Sequence, residues 1–91
     1  MGKKRAFSTS IEIYTHLRKL LAAVGVPKSH IRVNSHLRDD LKLNYQGKQE
    51  WIRAVEDYFD IEIDQQDRVR IFRVSHMVDV IVEVVPPGRQ P

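Results

Sequence analysis

Ninety-one residues are enough for one domain with one core and too few for two. A chain that is 42% hydrophobic and 30% charged is globular in composition, and it contains no apolar run near the roughly 20 residues needed to cross a bilayer. The absence of cysteine removes disulfides, thiolate metal sites and cysteine nucleophiles, and a chain this short, burying only about 60% of its unfolded surface, leaves little area for an enzymatic cleft.

The net charge of +3 conceals two opposed halves. Residues 1–45 hold nine Lys/Arg against Glu12, Asp39 and Asp40, whereas residues 46–91 hold six against nine acids. The acidic pole is 50–67, where Glu50, Glu56, Asp57, Asp60, Glu62, Asp64 and Asp67 accompany Arg53. Such a dipolar layout steers a protein partner as readily as a nucleic acid.

Residues 1–8 read as a flexible basic tail around Lys3-Lys4-Arg5. It has no apolar core of the kind a secretory signal needs, and Ala6 stands where a myristoylation signal wants serine or threonine, so a cytoplasmic location is expected. The folded domain is expected over 9–85, with 86–91 as a disordered tail. Thr9-Ser10-Ile11-Glu12 has the form of a capping box. Behind it Ile13, Leu17, Leu20, Leu21 and Val24 recur on one helical face, and Gly25 with Pro27 supplies the stop, predicting a first helix over 10–24. Residues 25–43 form a long connection in which Val26, Ile31, Val33, Leu37, Leu41 and Leu43 are expected to pin the chain to the core.

Asn44 is placed to cap a second helix over 45–59, with Trp51, Ile52, Val55, Tyr58 and Phe59 as its apolar positions. Gly47 in its first turn costs about 1 kcal/mol relative to alanine, which invites fraying there. After an extended Ile61-Glu62-Ile63, a brief helix is expected over 66–72 with Val69, Ile71 and Phe72 as its apolar residues. Ser75 is expected to cap a last helix over 76–84 that turns Met77 or Val78, Ile81, and Val84 or Val85 inward. The run from Val78 to Val85 has strand propensity, but no second segment offers it a partner, so the helical reading is preferred. Pro86-Pro87-Gly88 ends it. The result is an all-α bundle of three main helices and one short one.

Motifs of catalysis are missing. His16, His30, His36 and His76 lack ligand spacing and are expected at surface or capping positions rather than on zinc. Asp39-Asp40 and Glu56-Asp57 are expected to form solvated faces, and there is neither a nucleophile–base arrangement nor a glycine-rich phosphate loop, so no enzyme is expected. Lys3-Lys4-Arg5 with Arg68, Arg70 and Arg73 permits a second reading, a small basic nucleic-acid-binding domain, although a more one-sided basic surface is usual for that role.

The wording of the central segment is more specific. Leu37-Arg38-Asp39-Asp40-Leu41, then Ala54-Val55-Glu56-Asp57-Tyr58-Phe59-Asp60-Ile61-Glu62-Ile63, and finally Val74-Ser75-His76-Met77-Val78-Asp79-Val80-Ile81, resembles the acyl carrier protein family across roughly residues 11–82. The resemblance implies an ancestry in fatty-acid or polyketide synthesis and a 4'-phosphopantetheine arm on a serine between aspartate and leucine. In this chain that triplet falls on Asn44-Tyr45-Gln46. Tyr45 occupies the serine position, and Ser8, Ser10, Ser29, Ser35 and Ser75 all lie elsewhere, so no arm and no cofactor are expected. Trp51, Phe59 and Phe72 are expected to fill the space where carriers hold an acyl chain. Tyr45 reads either as a recognition residue or as a ring covering the gap left by Gln46. The resemblance assigns Asn44, Tyr45, Lys48, Gln49 and Arg53 to the partner-docking surface, for a protein partner such as an enzyme of acyl metabolism. A monomer that acts as a non-enzymatic interaction module is the leading expectation. A carrier loaded by an unfamiliar route is the alternative within the same class.

Overall fold

The computed structural model describes residues 10–84, so the basic tail, Thr9 of the capping box, Val85 and the Pro-Pro-Gly segment lie outside the described residues. The order of elements is α1 (Ser10–Ala23), a 3-10 turn (Lys28–His30), α2 (Tyr45–Phe59), α3 (Gln65–Arg70) and α4 (Val74–Val84). All are helical. α1 packs against both α4 and α2, and the long connection wraps the end of the bundle. Ile13, Leu17 and Leu21 of α1 meet Trp51, Ile52, Val55 and Phe59 of α2 and Val74, Met77 and Ile81 of α4 in one buried cluster. Trp51 is fully buried, and its indole N–H donates to the Leu17 carbonyl at 3.4 Å, which meets the polar demand of that ring.

α1 ends one residue earlier than its periodicity suggests. Gly25, at φ +105°, adopts the conformation a side chain resists, and the Val26 and Gly25 amides reach back to the Leu21 and Ala22 carbonyls in a Schellman pattern. α2 runs over its expected range. Asn44 accepts from the Gly47 amide at 2.7 Å and so holds the first turn together. Gly47 has a packing reason as well: an added Cβ would lie 2.9 Å from Leu43 Cδ2 and 3.3 Å from the capping oxygen of Asn44.

The connection is pinned by Val26, Ile31, Leu37 and Leu41, with Leu43 half-buried, but Val33 is exposed and pins nothing. Further anchoring comes from polar groups. Ser35 is buried, its hydroxyl accepting from the Arg32 amide and donating to the His30 carbonyl. A single antiparallel bridge joins His36 to Arg73, with the Leu37 amide on the Phe72 carbonyl at 2.8 Å and the Val74 amide on the Ser35 carbonyl at 3.1 Å. This bridge ties the connection to the joint between α3 and α4.

Four sequence expectations are corrected. Tyr58 faces outward, with its hydroxyl 3.0 Å from His16 Nδ1. The short helix is shifted to 65–70 because Asp64, not a later residue, accepts from the Asp67 amide and starts it. Val69 and Phe72 are exposed and Ile71 alone is buried, so Trp51 and Phe59 fill the core without Phe72. Ser75 lies inside α4 and is not its cap. From the first turn His76 reaches back instead, Nδ1 accepting from the Phe72 and Arg73 amides just ahead of the helix at 3.0 and 3.2 Å. Met77 and Val78 are both buried on α4, and Val84 is half-buried.

Candidate functional site

α2 begins where the long connection turns in. Residues 37–43 make a tight turn whose tension shows at Lys42, in the left-handed region at φ 60°. His36 organises that turn: its Nδ1 accepts from the Arg38 and Asp39 amides at 3.2 and 3.1 Å, while its own amide donates to Asp40 at 2.8 Å. The His36 ring also lies parallel to Phe72 at 6.4 Å between centroids, with 9° between planes. Thus Phe72, although half-exposed, is held in place by rings on two sides, His36 on one and His76 edge-on at 5.9 Å.

Between this turn, the start of α2 and the α3–α4 joint lies an open groove of about 570 Å³. Leu37, Leu43 and Ile71 supply apolar lining, Tyr45 and Phe72 supply aromatic lining, and Arg38 and Lys48 bring charge. The volume falls in the usual range for a ligand or side-chain pocket, about 300–1,000 Å³. Lys48 lies over Phe72, its ammonium 5.7 Å from the ring centroid. Its pKa is pushed below the ordinary lysine value by burial.

The five residues assigned to docking are placed around two neighbouring hollows. Asn44, Tyr45 and Lys48 border this groove, whereas Gln49 and Arg53 belong to the neighbouring face of α2 with Glu50 and Asp57. Tyr45 is 78% exposed and covers no gap, and Gln46 is also exposed, its amide 3.4 Å from Glu50. Gln49 is engaged inward by Arg68.

That contact belongs to a cluster that has no signature in the linear sequence. The guanidinium of Arg68 donates to the Ile63 carbonyl at 2.9 Å, to Gln49 at 3.1 Å and to Glu56 at 2.9 Å, and Glu56 also accepts from the Ile63 amide at 2.8 Å. The side chains of Arg68 and Glu56 are 27% and 17% exposed, so Glu56 does not belong to the solvated face expected for Glu56-Asp57. Together they fasten α3 and the 61–64 linker to α2. Arg70 pairs with Asp67 on the outside. Of the arginines suggested for phosphate contact, one is structural and one is paired.

The remaining residue types follow the local geometry. Among the described residues no group of three or more His, Asp or Glu is arranged to hold a metal ion, and no helix is long and apolar enough to cross a membrane. His36 and His76 are both capping residues. His16 packs against Tyr58 and Phe59.

A three-helix bundle with a short fourth helix and a long, pinned first connection defines a carrier-like class of fold. No protein-family model matches the chain. Over 76 residues, 82% of this chain and 96% of the relative, it is 37% identical to Acyl carrier protein 2 of Pseudomonas aeruginosa. The chain belongs to the acyl carrier protein family.

Proposed function

We propose that this protein is a family member that works as a non-enzymatic interaction module, presenting the start of α2 to a protein partner and bearing no phosphopantetheine arm. The observation that carries the reading is the side chain in the first position of α2. There Asn44 still caps the helix, but the next residue is Tyr45, whose ring is 78% exposed. A phosphodiester arm is normally made from a short hydroxyl held close to the positive end of a helix. The phenol oxygen stands a full ring away from the backbone, so the residues present do not fit the group.

No described serine substitutes for it. Ser35 is buried with its hydroxyl committed at both ends, Ser29 sits in the 3-10 turn, Ser75 lies in α4 and Ser10 opens α1. An exposed aromatic beside a groove is instead a common anchor of protein interfaces. The partner favoured by the resemblance is an enzyme of acyl metabolism.

Intact-mass measurement after incubation with coenzyme A and a broad-specificity phosphopantetheinyl transferase tests the reading. The natural chain is expected to keep its mass, and the triple variant Asn44→Asp, Tyr45→Ser, Gln46→Leu to gain the arm. A gain localised to any residue of the natural chain refutes the proposal and favours a carrier loaded by an unfamiliar route.

A further inference from the structure

The groove beside Tyr45 carries an unusual combination of charge and apolar surface. Among the described residues neither the Arg38 guanidinium nor the Lys48 ammonium forms an ion pair, whereas Arg68 and Arg70 both do. No carboxylate lines the groove. Of the two acids in the turn, Asp40 is directed onto the His36 amide, and Asp39, with an exposed side chain, lies 3.8 Å from His36 Nδ1. The two cations therefore border an apolar trough with no internal counter-charge. Phe72, 52% exposed between buried Ile71 and Val74, is fixed by His36 and His76 and presents a rigid ring there.

Resting on the interaction-module reading, we infer that this groove docks a short acidic segment of a protein partner, with one large apolar side chain of that segment seated between Tyr45 and Phe72 and its carboxylates facing Arg38 and Lys48. An apolar anchor removes the exposed faces of two aromatic rings from water, and anchors of this kind supply most of the energy at interfaces. Carboxylates supply the counter-charge the two cations lack. For Lys48 the gain is larger than for a fully hydrated lysine, because burial already disfavours its charged form and a facing carboxylate offsets that cost.

The occupant is a short segment rather than a polyanion. One turn along α2 stands Glu50, followed by Asp57, Asp60, Glu62 and Asp64, all exposed. A nucleic acid long enough to extend past the groove would meet exposed acids of that set, where like charges repel. A peptide of a few residues ends before reaching it.

The test presents the full chain to a random linear-peptide phage library and then measures a synthetic consensus peptide against variants. The expected consensus is acidic with a Phe, Trp or Leu at its centre. Its affinity should fall at least about tenfold with Lys48→Glu, and similarly with Phe72→Ser, the scale of a single anchor or facing charge. Lys48→Glu retains the helix because an acid suits its first turn. Lys19→Glu, the same charge change on α1, should leave affinity within about twofold of the natural chain. Backbone amide shifts on titration should centre on Leu43, Tyr45, Lys48 and Phe72, and binding should weaken with added salt.

No enrichment, a basic or uncharged consensus, or indifference to Lys48→Glu overturns the inference. So does competition by a single-stranded oligonucleotide, or self-association of the chain that Lys48→Glu abolishes. Peptides that map instead to the Gln49–Arg53 face overturn the groove assignment while leaving the interaction-module reading intact. Arm transfer to the natural chain strikes that reading alone.

Discussion

Replacing Arg68 by methionine should cost about 2–3 kcal/mol, a large share of the roughly 5–14 kcal/mol expected for a domain of this length. The side chain closes three hydrogen bonds, to the Ile63 carbonyl, Gln49 and Glu56, and two of them join α3 to α2, beside the Glu56 contact with the Ile63 amide and the burial of Ile63 and Ile71. Hydrogen bonds to charged groups contribute about 1.5–3 kcal/mol each at full burial. A side chain 27% exposed keeps part of its hydration in either state, so the sum is discounted to the lower figure. Glu56 would remain with the Ile63 amide as its partner but without a counter-ion. Changing Glu56 to glutamine in the same chain should recover about 1 kcal/mol, since the amide oxygen still serves Ile63 and no half-buried charge is stranded. Urea denaturation followed by far-ultraviolet circular dichroism gives the four corners of the cycle. On heating, the single Arg68→Met change should lower Tm by about 10–20 °C. A loss under about 0.5 kcal/mol, or strict additivity with Glu56→Gln, would refute the account of how α3 is fastened.

Asn44→Ala should remove about 1 kcal/mol by releasing the Gly47 amide, and Asn44→Asp should retain the natural stability, as measured by the same denaturation curves. Asp60 closes α2 in the left-handed region at φ 57°, so Asp60→Gly should stabilise by a few tenths of a kcal/mol up to about 1 kcal/mol, visible as a raised urea midpoint with an unchanged slope. The pKa of Lys48 is lowered in the folded state, so its charged form opposes folding at neutral pH, and that opposition disappears as pH rises through the folded pKa toward the ordinary value of 10.5. The natural chain should therefore gain stability relative to Lys48→Met between neutral pH and pH 10.5. A difference between the two that is flat over this range would contradict the burial of the ammonium group.

The elements that the sequence reveals best are those whose signals are local. α2 is legible over its full length because Asn44 supplies a cap and Trp51, Ile52, Val55 and Phe59 repeat on one face over fifteen residues. α1 is legible for the same reason, together with the glycine stop. The failures concern short elements. Six residues of α3 give too few turns for periodicity to assign a face, so Val69 and Phe72 look like core when only Ile71 is buried. The signal that would have set its start, Asp64 followed three residues later by Asp67, is a capping pattern with an acid in both places. At α4, serine before an apolar run suggests a cap, but the helix already begins at Val74, and the imidazole of His76 reaches back to the Phe72 and Arg73 amides ahead of it. The Glu56–Arg68 pair spans two elements, and no local spacing announces it. The candidate groove was half legible: Asn44, Tyr45 and Lys48 follow from the register of the second helix, whereas Arg38, His36 and Phe72 reach it only through the His36–Arg73 bridge.

What the start of α2 shows is that the parts that aim a side chain and the side chain that does chemistry are separable. Asn44 holds the first turn by the Gly47 amide, and the missing Cβ of Gly47 lets Leu43 pack against that turn. Neither contact involves the side chain at position 45, so the turn directs residue 45 toward solvent whichever residue stands there. A hydroxyl so placed is suited to becoming an ester. A phenol ring so placed offers amphipathic contact area at the mouth of a groove bordered by unpaired Arg38 and Lys48, and ordering a tyrosine restricts only two torsions. On the interaction-module reading, the residue at position 45 serves recognition in place of attachment on a helix start that Asn44 and Gly47 still hold.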